Sequence, residues 1–161
     1  MVSLRATLLC LMATSATVHG ERLRAVWSSG SFSSMSGSQG GSQSGHYDGF
    51  AILNTAGDAI YTTSYPGDHS PCQHYDGRLF TLEGDCWNKA LQFWCRADFG
   101  GSPEKCEVRN DKGIAIGRGD GMSDTKFIGI AIGKDASCAI EFDSDSAGCP
   151  VSEGEGPFRV V

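Results

Sequence analysis

The chain has 161 residues, 40% of them hydrophobic, with seven cysteines and a formal net charge of −6. That length suits one domain with a true hydrophobic core. The acidic balance, with Lys and Arg scattered singly, argues against phosphate backbones and anionic lipid surfaces, so neither nucleic acid nor membrane insertion is expected.

Residues 1–20 carry one positive charge, at Arg5, then the apolar run Ala6 to Ala13 and a set of small residues. That is the anatomy of a secretory signal peptide, and the run is too short to span a bilayer. The expected mature start is Glu21, after Gly20. Removing the leader takes Arg5 and no acid, so the net charge moves from −6 to −7. Cys10 leaves with it, and an even set remains: Cys72, Cys86, Cys95, Cys106, Cys138 and Cys149. An even count behind a leader predicts a disulfide-bonded, extracellular protein. A copper-chelating N-terminal His19 would need a cut after Val18, a poor signal-peptidase site.

Residues 21–161 read as a single β-rich domain. Leu23 to Trp27 is a short N-terminal strand candidate. The tract 28–45 is dominated by Ser and Gly, which are costly to order, and predicts a mobile loop or tether dispensable for folding. Phe50 to Asn54 and Ala59 to Thr63 flank Thr55-Ala56-Gly57-Asp58, a β-hairpin signal. Further strand candidates are Arg78 to Leu82, Ala90 to Arg96, Cys106 to Arg109, Gly113 to Ile116, Lys126 to Ile132, Ser137 to Phe142 and Phe158 to Val161. Asn88 to Trp94 has an alternative reading as a short helix. Gly-bounded short strands with almost no helical period predict an all-β, antiparallel sandwich or barrel stapled by disulfides. The expected core is Ile52, Ile60, Phe80, Leu91, Phe93, Ile114, Ile116, Ile130 and Ile132.

Six cysteines allow fifteen pairings. Chain proximity makes Cys138–Cys149, Cys86–Cys95 and Cys95–Cys106 candidates, with a distant partner for Cys72. Zinc would need closely spaced ligand pairs, and none exists in the sequence.

His46-Tyr47-Asp48-Gly49 returns as His74-Tyr75-Asp76-Gly77. Imidazole and carboxylate at i and i+2 share one face of an extended strand, so His46, Asp48, His74 and Asp76 would surround a divalent ion if the copies met. The favoured reading is that Asp-Gly opens a turn in each copy, the copies stay apart, and no metal or other cofactor binds. Asp143 to Gly148 imitates the start of a calcium loop but has Ala147 at position five and Gly154 at position twelve. Arg118-Gly119-Asp120, an integrin-type tripeptide, is read as turn chemistry between strands. Glu83 and Asp85 beside Trp87 are too close in sequence for a glycosidase pair, and there is no G-x-S-x-G elbow.

In build the chain resembles the small secreted cysteine-containing β-proteins of filamentous fungi. The shared features are an Ala/Leu/Thr leader, a short acidic mature chain, six cysteines and Gly-bounded strands. Cys86 through Cys138 is weakly similar to the cysteine-bridged barrel of the fungal major-allergen (AA1-like) family, from which the cysteine spacing departs. The resemblance implies an effector or elicitor that recognises a host or extracellular protein or glycan as a monomer. Tyr65, Tyr75 and Trp87 are the candidate ligand surface. The alternatives are a secreted polysaccharide-active enzyme and a carbohydrate-binding lectin.

Overall fold

A computed structural model describes residues 20–34, 43–64, 71–128, 131–146, 148–151 and 158–161. Of these, Phe32, Ser34, Gln43, His46, Ile128 and Ala131 are described by backbone alone. Among the described residues nine strands follow in order: β1 Arg22–Ser34, β2 Gln43–Leu53, β3 Ala59–Ser64, β4 Arg78–Gly84, β5 Leu91–Ala97, β6 Pro103–Arg109, β7 Ala115–Ile128, β8 Ala131–Asp143 and β9 Phe158–Val160. A 3-10 turn at Pro71–Gln73 precedes β4.

The strands form one antiparallel sheet in the order β3-β2-β1-β8-β7-β6-β5-β4-β9, rolled into a nearly closed barrel. Its two edges meet through side chains, with the Tyr61 and Phe158 rings 5.7 Å apart. Period-two alternation drives the closure. In β5, Leu91, Phe93, Cys95 and Ala97 point inward and are buried, and the residues between them are half exposed. Trp27, Phe50, Phe80 and Phe93 fill the centre, with Phe50 and Phe93 ring centroids 4.9 Å apart.

At residues 28–34 and 43–45 the Gly/Ser tract is strand and not the loop that its composition predicts. Pairing of β1 with β2 runs in register from Arg24↔Leu53 to Ser34↔Gln43, and pairing with β8 runs from Arg22↔Asp143 to Ser34↔Ala131. A central strand has its backbone groups satisfied on both sides, which outweighs the entropy of ordering Ser and Gly. Residues 35–42, including Met35, lie outside the described residues.

Strand β7 behaves differently from its neighbours. It pairs with β6 up to Asp120 and with β8 from Gly121 onward, so it passes from one wall of the barrel to the other. A Cβ at Gly117, Gly119 or Gly121 would lie 2.6, 2.2 or 1.8 Å from the backbone oxygens of Glu141, Ala139 and Pro103 respectively. Only glycine permits that approach. Arg118-Gly119-Asp120 is therefore the corner of a strand, paired with Glu107, Cys106 and Lys105, and not a turn tip.

The same corner corrects part of the expected core. Glycines take the inward positions of β7, so Ile114 and Ile116 fall outside and are exposed. Ile132 lies on the inward row of β8, but beyond the point where the barrel is covered, and is also exposed. Ile52, Ile60, Phe80, Leu91 and Phe93 are buried as expected, and Ile130 lies outside the described residues. Lys126 to Ile132, expected as one strand, spans the end of β7 and the start of β8. Asn88 to Trp94 leads into β5 with no helical turn.

The disulfides are Cys72–Cys95, Cys86–Cys149 and Cys106–Cys138. None matches a pairing suggested by chain proximity. Proximity in sequence misleads here because Cys95 and Cys106, though directly opposite in β5 and β6, each bond across the interior to a third segment.

Candidate binding site at the open end of the barrel

One end of the barrel is built by the Asn54–Asp58, Cys86–Ala90 and Asn110–Ile114 turns, together with residues 20–21, 144–146 and 148–149. It is tightly tied. Glu21 N donates to Ser146 O at 2.8 Å, Ser144 N to Glu21 O at 2.9 Å, and Cys149 N to Glu21 Oε2 at 2.9 Å. Asn54 and Asn110 each accept two backbone amides within their turns. Glu83 also lies at this end, held by Arg159 on β9 at 2.9 Å from Nε.

Among the described residues the other end is open, and its inner wall changes character row by row. The first row sets Trp27 beside Phe50 and Cys138, all buried. The next sets Ser29 beside Asp48 and Ala136; the third sets Ser31 beside His46 and Lys134; the fourth sets Ser33 beside Ser44 and Ile132. Aromatic packing thus gives way to a polar floor and then to an exposed rim, because β1, β2, β7 and β8 run on past the barrel.

Asp48 is the central group of this floor. It is 4% exposed, and its Oδ2 accepts a hydrogen bond from Gln73 Nε2 at 2.7 Å. Gln73 is placed by the 3-10 turn, whose Cys72 is bonded to Cys95 in β5. Lys134 Nζ donates to Gly100 O at 3.0 Å. Gly100 belongs to a turn closed by Asp98 Oδ1, which accepts Ser102 N at 2.8 Å. Ser29, Ser31, Asp48, Gln73, Gly100 and Lys134 line a cavity of about 200 Å³. Exposed apolar side chains surround this end: Tyr75 on the turn before β4, Phe99 on the β5–β6 turn, and Phe127 and Ile132 at the ends of β7 and β8.

The first His-Tyr-Asp-Gly copy meets the residue that precedes the second. The first lies inside β2 and opens no turn there; its Tyr47 points outward, above Gly30. The second forms the turn before β4, with His74 O accepting Gly77 N and Ala97 N. That meeting joins Asp48 to Gln73, which belongs to neither copy. Among the described residues no three His, Cys, Asp or Glu side chains converge as a metal site, and the His46 side chain lies outside the described residues.

Of the candidate anchors, Tyr75 is 77% exposed and sits at the open end. Trp87 is buried against Phe158 at 4.4 Å, which removes it from any ligand surface. Tyr65 lies outside the described residues. Lys134, Gln73, Phe99 and Phe127 were missed. Lys134, Ala136, Cys138, Ile140 and Phe142 alternate with Asp135, Ser137, Ala139 and Glu141, so period two alone would have turned Lys134 inward.

Two charged groups mark the outer wall. A hydrogen bond from Tyr47 at 2.7 Å, and then Lys126, hold the Asp135 carboxyl below the usual carboxylate range; the same bond raises the Tyr47 phenol. Arg24, 2.8 Å away, and then Arg22 do the same for Glu141. The larger groove on the outside of β1, β2 and β3, about 540 Å³, is lined by small neutral residues such as Val26, Ser28, Ala51 and Thr62. Among the described residues, the open end combines a buried carboxyl group, an amide and exposed aromatic rings.

Comparison with protein-family models, curated proteins and solved structures returned no match.

Proposed function

We propose that this chain is a secreted, non-catalytic binding protein of the effector type, which recognises a host or extracellular ligand through the open end of its barrel. The observation that carries the reading is the floor of Asp48, Gln73 and Lys134 beneath a rim that exposes Tyr75, Phe99 and Phe127. Binding sites combine convergent polar groups with exposed aromatic side chains on a rigid scaffold. Rigidity comes from three disulfides, which fit an extracellular setting. Asp48 is the carboxylate among the described lining residues, whereas Glu83 and Asp85 stand at the opposite end. Nothing in that arrangement favours the enzyme reading.

The test is retention of the oxidised protein on chitin, glucan and pectin resins and on immobilised apoplastic plant proteins. The Tyr75→Ala/Phe99→Ala/Phe127→Ala variant serves as the comparison. All three side chains are exposed, so the variant should fold, and it should lose tenfold or more of the binding. Equal retention of both proteins, or none by the parent on any surface, contradicts the reading.

A further inference from the structure

Resting on that reading, we infer that the floor of the open end takes one neutral, polyhydroxylated ring: a single sugar residue, free or at the end of a glycan. Size is the first argument. A cavity of about 200 Å³ is below the ~300–1,000 Å³ usual for drug-sized ligands and admits one ring.

Charge is the second. Asp48 and Lys134 place a carboxylate and an ammonium on adjacent inner rows of the same wall, joined through Ser29 and Ser31 of β1. Attraction of an anionic ligand to Lys134 is offset by the neighbouring Asp48 carboxyl group, and attraction of a cationic one to Asp48 is offset by Lys134. The pair thus gives a fully charged ligand little net Coulomb gain, which leaves a neutral one as the better fit.

Hydrogen-bonding capacity is the third. A carboxylate only accepts, an ammonium only donates, and the Gln73 amide and Ser29 and Ser31 hydroxyls do both. Neighbouring hydroxyls match such a mixed set, since each donates to one partner while accepting from another. The exposed rings of Phe99, Tyr75 and Phe127 at the same end then offer apolar faces to the C–H side of a sugar.

The experiment is a titration of the oxidised, ¹⁵N-labelled protein with methyl glycosides of neutral hexoses and N-acetylhexosamines, read by amide chemical shifts. Galacturonate and glucosamine are the charged controls. At least one neutral glycoside should shift the amides of Ser29, Asp48, Gly100 and Lys134 saturably, and more tightly than either control. Asp48→Asn should weaken it tenfold or more. Because Asp48 is buried, Gln73→Ala and Lys134→Met, at more accessible positions, provide a second reading and should weaken binding severalfold. Absence of saturable shifts with every neutral glycoside, preference for a charged control, or indifference to all three substitutions overturns the inference. If the glycosides fail while resin or protein retention still depends on Tyr75, Phe99 and Phe127, the sugar class falls and the open-end reading stands. If that retention fails too, both fall.

Discussion

Cys106 on β6 and Cys138 on β8 are bonded across the inner side of β7, each opposite a glycine of that strand, Gly119 and Gly121. The bridge spans the place where β7 changes walls, and the glycines leave room for the backbone beneath. Gly119→Ala or Gly121→Ala should therefore cost about 1–3 kcal/mol or more through overpacking. Gly133→Ala, whose added Cβ meets nothing within 4 Å, is the matched control and should be nearly neutral. Urea unfolding of the three variants checks this; equal stabilities would mean that β7 does not turn there.

Peptide mapping under non-reducing conditions should give Cys72–Cys95, Cys86–Cys149 and Cys106–Cys138. Removing Cys86–Cys149 by paired Ser substitutions should cost ~2–4 kcal/mol. Any peptide joining Cys138 to Cys149 contradicts the topology of the tied end.

Proline distinguishes a central strand from a loop in the Ser/Gly tract. Ser29→Pro or Ser31→Pro should lose ladder hydrogen bonds to β2 or β8 and destabilise by ~3 kcal/mol or more. Were the tract a tether, the same changes would leave the unfolding midpoint unmoved.

Asp135 and Glu141 make stability depend on pH in a definite sense. Their folded pKa values are depressed, so their contribution is present above the ordinary carboxylate pKa and is lost as pH falls through the depressed folded value. Asp135→Asn should melt below the parent near neutrality and converge with it in acid. Both groups are solvent-exposed, so the gap should be small and shrink with added salt. A gap that widens in acid has the wrong sign.

Much of the barrel was legible because alternation is a local signal. Ile52, Ile60, Phe80 and Phe93 declare their face by period two, and the Gly57 turn declares its hairpin. Composition failed at residues 28–34, where order comes from pairing with β8, a strand about a hundred residues away in the chain. Gly113 to Gly117 failed for a related reason: alternation marks two faces, but only the approach of β8 decides that glycine and not isoleucine turns inward. The open-end site was half visible. The His-Tyr-Asp-Gly motif flags Asp48, though its favoured reading there is a turn and not a strand, and its partner Gln73 is brought in by the Cys72–Cys95 bridge, which the sequence alone did not assign.

The central claim is that ligand engages the open end of the barrel. Amide hydrogen exchange on the oxidised protein, with and without a ligand retained in the resin or protein assay, tests it most directly. Protection should appear at Ser29, Asp48, residues 98–102 and Lys134, leaving the tied end unchanged. Protection confined to Asn54–Asp58, Asn110–Ile114 or residues 144–149 would contradict the account.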